Sequence, residues 1–148
     1  MLIQDMTSQA CIDLLSRTRL GRLACAEGGQ PYITPLFFAY HPDALYGFST
    51  VGQKINWMRA NPLVCVQTDE VNTPEQWRSV IVLGRYEELT AEADYDGARE
   101  HVYNLLQQRP LWWDPGYAKT VHLGKERPLE LVYFRIQIHR ITGHYASD

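Results

Sequence analysis

Between Leu20 and Phe38 the chain reads Leu-Gly-Arg-Leu-Ala-Cys-Ala, then Glu27-Gly28-Gly29-Gln30, then Pro31-Tyr-Ile-Thr-Pro-Leu-Phe-Phe. No other stretch limits the fold as much. Two adjacent glycines between apolar runs can both adopt positive φ, which a tight hairpin turn demands. The two runs are therefore antiparallel neighbours in one sheet. Pro35 adds a second constraint, because it has no N–H to donate to a ladder. At Pro35 the strand is an edge, is bulged, or opens toward something other than another strand.

The pattern repeats along the chain. His41-Pro-Asp-Ala makes a turn between the strand ending at Tyr40 and a strand over Leu45–Thr50. Leu63–Asp69 reads as a further strand. Gln76–Leu89 is a long one, with Trp77, Ser79, Ile81 and Leu83 on one face and Val80, Val82 and Tyr86 on the other. A last strand over Leu129–Thr142 turns Val132, Phe134, Ile136 and Ile138 to one side. Helical spacing predicts three helices. The first covers Thr7–Ser16, capped by Thr7 or Ser8. The second runs from Lys54 to Ala60 and is stopped by Asn61-Pro62. The third covers Glu92 to about Gln108, capped by Thr90. Pro110–Gly124, with Trp112-Trp113 inside it, reads as an ordered loop covering a pocket or a dimer seam. Six strands with short connections in 148 residues predict one domain, mainly β (α+β), shaped as a closed or partly closed antiparallel barrel with flanking helices.

Composition removes several classes of function. A formal net charge of −3 argues against a nucleic-acid footprint. No apolar run approaches the ~20 residues of a membrane span. The start, Met-Leu-Ile-Gln-Asp-Met, lacks the basic and long apolar regions of a secretory signal. Cys11, Cys25 and Cys65 fit neither a disulfide framework nor a zinc motif, and they read as small apolar core residues of a reduced, cytoplasmic protein.

Conventional catalytic motifs are missing. His41, His101, His122, His139 and His144 form no i, i+4 metal pair, and neither a P-loop nor a Gly-x-Gly-x-x-Gly fingerprint occurs. One segment does have the donors an anion needs. Ser49, Thr50, Gly52 and Lys54 fall within six residues, just before a helix, so two hydroxyls, an ammonium and free helix amides can surround a phosphate. A capped helix bearing an exposed lysine is the other reading of the same residues. If the protein is an enzyme, a bound cofactor supplies the chemistry and the chain supplies the cavity.

Six pieces occur in a fixed order. They are Gly21-Arg-Leu-Ala, Pro31-Tyr-Ile-Thr-Pro-Leu-Phe-Phe, Leu45-Tyr-Gly-Phe-Ser-Thr-Val-Gly-Gln-Lys, Asn61-Pro-Leu-Val-Cys, Trp77-Arg-Ser-Val-Ile-Val-Leu-Gly-Arg-Tyr-Glu-Glu-Leu and Arg140-Ile-Thr-Gly-His. Together, over residues 7 to 145, they resemble the pyridoxamine 5′-phosphate oxidase-related FMN-binding split-barrel proteins, and above all the branch containing the nitroimidazole-resistance proteins. The resemblance implies a six-stranded split barrel that dimerises with itself, holding FMN at the subunit interface. It implies that Ser49, Thr50, Gln53 and Lys54 bind the phosphate, that Thr34, Pro35, Leu36 and Phe37 lie along the flavin ring, and that Ser79 approaches the ring's polar edge. It further implies an oxidoreductase acting on a small flat substrate, with a nicotinamide as a candidate electron donor. A flavin-binding module without turnover, and a barrel filled by a deazaflavin or haem, are the alternatives. The match is incomplete. Only one cation stands in the Ser49–Lys54 segment, and the C-terminal arginine and histidine motif of the pyridoxal-forming oxidases is not recognisable, so the resemblance does not extend to pyridoxamine phosphate oxidation. No histidine stands in that segment either, so the nitroimidazole activity does not carry over.

Overall fold

The computed structural model describes residues 1–90, 97–108, 119–128 and 130–147. In chain order its elements are β1 (Leu2–Asp5), α1 (Ser8–Arg17), β2 (Leu20–Glu27), β3 (Gln30–Phe37), β4 (Ala39–His41), β5 (Ala44–Thr50), α2 (Gln53–Ala60), β6 (Leu63–Thr73), β7 (Gln76–Leu89), α3 (Ala98–Gln107), β8 (Lys119–His122), β9 (Lys125–Pro128) and β10 (Leu131–Ser147). Eight strands form one antiparallel sheet in the order β3-β2-β6-β7-β10-β5-β4, with β1 also paired to β10. The β2–β3 hairpin turns at Gly28 (φ 56°) and Gly29 (φ 77°), the conformation the glycine pair predicts.

The run expected as one strand from Pro31 to Tyr40 is two strands, broken at Phe38. That break shapes the whole sheet. β3 lies at one sheet edge and β4 at the other, yet only Phe38 separates them in sequence. A sheet whose two edges are one residue apart must curl round until they meet. Phe38 sits at the joint, 1% exposed, with its N–H donating to the Arg19 carbonyl at 2.9 Å. No ladder spans the two edges, so the result is a split barrel rather than a closed one.

The barrel is filled from alternate positions of its strands. Val80, Val82, Phe134, Ile136, Val66 and Leu23 are fully buried, together with Cys11, Leu14 and Leu15 of α1 and Ile55 and Met58 of α2. Burying a side chain of this size stabilises by ~1.5–3 kcal/mol before chain entropy is subtracted. Thr7 caps α1, its Oγ1 accepting from the Ala10 N–H at 3.1 Å. Helix α3 packs Val102 and Leu106 on Ala39, Ala44 and Tyr46, a second small cluster outside the barrel. Gly97 occupies its N-cap position, so Thr90 does not cap it.

Other boundaries also differ from expectation. Strand β10 continues five residues beyond Thr142 because β7 and β1 both pair with its end. A bulge between Ile138 and Arg140 bends it, and there Gly84 of β7 is obligatory, since a Cβ would strike the Gln137 carbonyl. Strand β1 was not expected, and β8 lies within the stretch read as loop. Trp112 and Trp113 lie outside the described residues. Among the described residues, no helix is long and apolar enough to cross a membrane.

Candidate functional site

The split in the barrel lies between β3 and β5. At one point these strands nearly touch. A Cβ built on Gly47 would stand 3.3 Å from the Phe37 carbonyl oxygen and 3.4 Å from Leu36 Cδ1. No ladder joins the two strands, because β3 pairs only with β2. Pro35 faces Arg22 across the β2–β3 ladder, and β3 is an edge strand, as a prolyl residue requires. Among the described residues, Thr34, Pro35, Leu36 and Phe37 thus line an edge with no strand beyond it, so the backbone groups that point away from β2 can serve a ligand. Phe37 is 48% exposed, a large ring left uncovered.

Ser49 and Thr50 end β5, and Val51-Gly52 leads into α2. Ser49 is buried at 7% exposure. Gly52 is extended (φ 179°), and no side chain caps the helix. The first bond within the helix runs from the Asn56 N–H to the Gly52 carbonyl (3.0 Å), which leaves the amides of Gln53, Lys54 and Ile55 without a helical acceptor. The capped-helix reading of this segment is therefore not what the chain adopts. Among the described residues, the side chains of Ser49, Thr50, Gln53 and Lys54 accept and donate no hydrogen bond, and no carboxylate lies within ion-pair distance of Lys54.

Helix α2 is fixed by its far end. Ile55 and Met58 enter the core, Trp57 packs edge-on to Tyr32 of β3 (centroids 5.7 Å), and Asn61 Nδ2 donates to the Ala26 carbonyl (3.0 Å). Lys54 is thereby held half-buried beside Cys25. Burial lowers its pKa, and the neighbouring thiol only partly offsets that; burial likewise raises that of Cys25. A partly desolvated ammonium with no counter-ion among the described residues is an electrostatic debt that a bound anion would settle. Hydroxyls, amides and ammonium form a donor set suited to a phosphate.

Ser79 stands elsewhere. Strands β2 and β6 lie between its strand β7 and β3, and along β10 its partner His144 is twelve residues from Val132, the partner of Ser49. Within one chain Ser79 does not share a cradle with Ser49–Lys54. It belongs instead to a polar cluster on the outer face of the sheet. Gln67 Nε2 donates to Ser79 Oγ (3.1 Å) and to Asp69 Oδ2 (2.9 Å), and Arg22 lies 3.9 Å from Asp69. His144 is paired with Ser79 in register, and its Nε2 contacts Asp5 Oδ1 at 3.0 Å. Polar residues at alternate strand positions are the one linear signal of this cluster, since it exists only through register. Around it the same face is apolar. Ile33, Leu63, Ile81 and Leu83 are 43–66% exposed, and a shallow groove of about 460 Å³ runs between Ala24, Cys65, Leu83 and His139.

Comparison with known proteins gives a consistent picture. Residues 7–145 match the profile of the family described as pyridoxamine 5′-phosphate oxidase. The uncharacterized protein RA0666 of Rhizobium meliloti (strain 1021) is 38% identical over 146 residues, covering 99% of this chain and 97% of its own length. The crystal structure of a FAD-binding protein (mll6688) from Mesorhizobium loti is 44% identical with a TM-score of 0.80, covering 99% of this chain and all of that one. A candidate 5-nitroimidazole antibiotic resistance protein from Bacteroides thetaiotaomicron VPI-5482 shares the fold alone, with a TM-score of 0.70 at 16% identity over 98% of this chain and 89% of that one. The split barrel and the matched residues lead to one conclusion: this chain belongs to the pyridoxamine 5′-phosphate oxidase family.

Proposed function

We propose that the protein binds a flavin through an FMN moiety, either FMN itself or the FMN half of FAD, and acts as a flavin-dependent oxidoreductase on a small flat substrate. The observation that carries this reading is the unengaged donor set of Ser49, Thr50, Gln53 and Lys54 at an uncapped helix start, facing a barrel edge that Pro35 keeps open. The FAD-binding relative at 44% identity supports it.

When bound, the flavin would supply the two-electron chemistry. The chain's own part is to hold and shield. Lys54, Ser49 and Thr50 hold the phosphate, and Gln53 adds an amide. The free backbone groups of Thr34–Phe37 orient the ring through its polar atoms, and the Phe37 side chain excludes water from one side.

The protein works as a homodimer in this reading. Outward side chains of Ile33 on β3, Leu63 on β6 and Ile81 and Leu83 on β7 make an apolar face that a second copy would cover. Such a face also carries Ser79, so a second copy can bring its Ser79 toward the first copy's slot. A fluorescence titration of the purified protein with FMN and FAD tests the reading, with sedimentation run alongside. Quenching at a 1:1 ratio per chain and a two-chain particle are expected. A colourless protein that binds neither flavin would refute it.

A further inference from the structure

We propose that the β8–β9 hairpin is a cationic arm that binds the diphosphate of a dinucleotide flavin, making FAD rather than FMN the preferred cofactor. This inference rests on the flavin reading of Ser49–Lys54. The hairpin has little else to do. All eight of its strand residues are exposed, and it packs extensively against no other described element. It turns sharply at Leu123 (φ 50°) and Gly124 (φ 74°), a two-residue connection with both φ positive.

Charge is sorted between its two faces. The register pairs Lys119 with Pro128, Thr120 with Arg127, Val121 with Glu126 and His122 with Lys125. Cross-strand partners share a face, and successive residues alternate. One face therefore carries Lys119, Val121, Glu126 and Pro128, where Lys119 and Glu126 are 3.7 Å apart and neutralise each other. The opposite face carries Thr120, His122, Lys125 and Arg127. It is made of donors without a carboxylate, and among the described residues neither Lys125 nor Arg127 has an ion-pair partner. In a chain of net charge −3, such a face suits a ligand bearing more than one negative charge.

The root of the arm is at the phosphate segment. Pro128 is two residues before Glu130, whose carbonyl accepts the Val51 N–H at 3.0 Å, and Leu131 pairs with Thr50. Two residues span at most ~7 Å, so the arm's base stands beside the end of β5. The four-residue strands then give the arm a reach of ~13 Å from that base, enough to meet a second phosphate next to the first. Ser49–Lys54 supplies one cation for the phosphate shared by FMN and FAD. Lys125 and Arg127 supply charge for the second phosphate, which FAD alone has.

The test compares FMN and FAD affinities by fluorescence titration in the wild type, Lys125→Ala/Arg127→Ala, Glu126→Gln and Lys54→Ala. Wild type should bind FAD the more tightly. The double variant should lose about tenfold in FAD affinity, the scale of two exposed charge-assisted contacts, with FMN affinity unchanged. Glu126→Gln should change neither, and Lys54→Ala should weaken both. Equal FAD and FMN affinity in the wild type, or a double variant with undiminished FAD affinity, would overturn the arm while leaving the flavin reading intact. A loss of FMN and FAD affinity together in the double variant would also overturn it, since the arm would then act on the first phosphate. Failure of the wild type to bind either flavin would sink both proposals.

Discussion

Replacing Lys54 by methionine separates a binding residue from a structural one, because the two roles predict opposite signs. Methionine keeps an unbranched stem of similar length, so packing beside Cys25 and the core is largely retained. What disappears is an ammonium held half-buried with no carboxylate of the described residues in reach. Because burial lowers its folded pKa below the unfolded value, the charge opposes folding. That cost is absent at pH above the unfolded lysine value and grows as the pH falls through it. At neutral pH, removing the charge should leave the cofactor-free protein as stable as before or more so. Flavin binding should weaken by ~1.5–3 kcal/mol, the scale of a hydrogen bond to a charged group, or roughly ten- to hundredfold in Kd. Urea unfolding of the cofactor-free protein reads the first quantity, and flavin fluorescence reads the second. A destabilised protein with unchanged flavin affinity would show that Lys54 is an ordinary structural residue, and the reasoning about an unsatisfied charge would fail. In the wild type the same logic gives a pH dependence. Flavin affinity should fall as pH rises, starting below the ordinary lysine value of 10.5, and Lys54→Met should abolish the step.

Three further outcomes check the structure around the site. Gly84→Ala should destabilise by several kcal/mol or prevent folding, because its Cβ would meet the Gln137 carbonyl and Ile136 Cγ2 opposite the β10 bulge; thermal unfolding of the expressed variant reads this. Thr7→Ala should cost about 1 kcal/mol in urea unfolding, the worth of one N-cap hydrogen bond to Ala10. Ile81→Lys places a charge on the outer apolar face, where it is free in one chain; sedimentation should shift toward a single chain with the circular dichroism spectrum unchanged, and an intact two-chain particle would remove this face from the interface.

Local chemistry made much of the fold legible. The glycine pair at 28 and 29 specified one hairpin, and alternation in β7 separated Val80, Val82 and Tyr86 from Ile81 and Leu83. Ser49–Lys54 stood out because its donors are contiguous. What stayed hidden depends on partners far away in sequence. The aromatic run through Phe37, Phe38 and Tyr40 looks like one strand, and only tertiary closure of the barrel breaks it at Phe38. Strand β1 is four exposed residues with no alternation to betray it. Thr90 has the chemistry of a helix cap, yet the described helix begins eight residues later. The Arg22–Asp69–Gln67–Ser79 cluster joins three strands, and no spacing within one strand encodes it.

The pairing of β1 with β10 sets Leu2 directly across from Ser147. Residues from opposite ends of the described chain thus meet in one ladder, which has consequences for assembly in time. During synthesis β1 leaves the ribosome long before its partner residues His144–Ser147, so the sheet acquires this ladder only after translation has passed residue 144. The same proximity makes the segment 2–147 a candidate for circular permutation. A short linker from Ser147 to Leu2, with new ends at the exposed Leu123–Gly124 turn, would keep every ladder of the main sheet while cutting the chain at the tip of the arm.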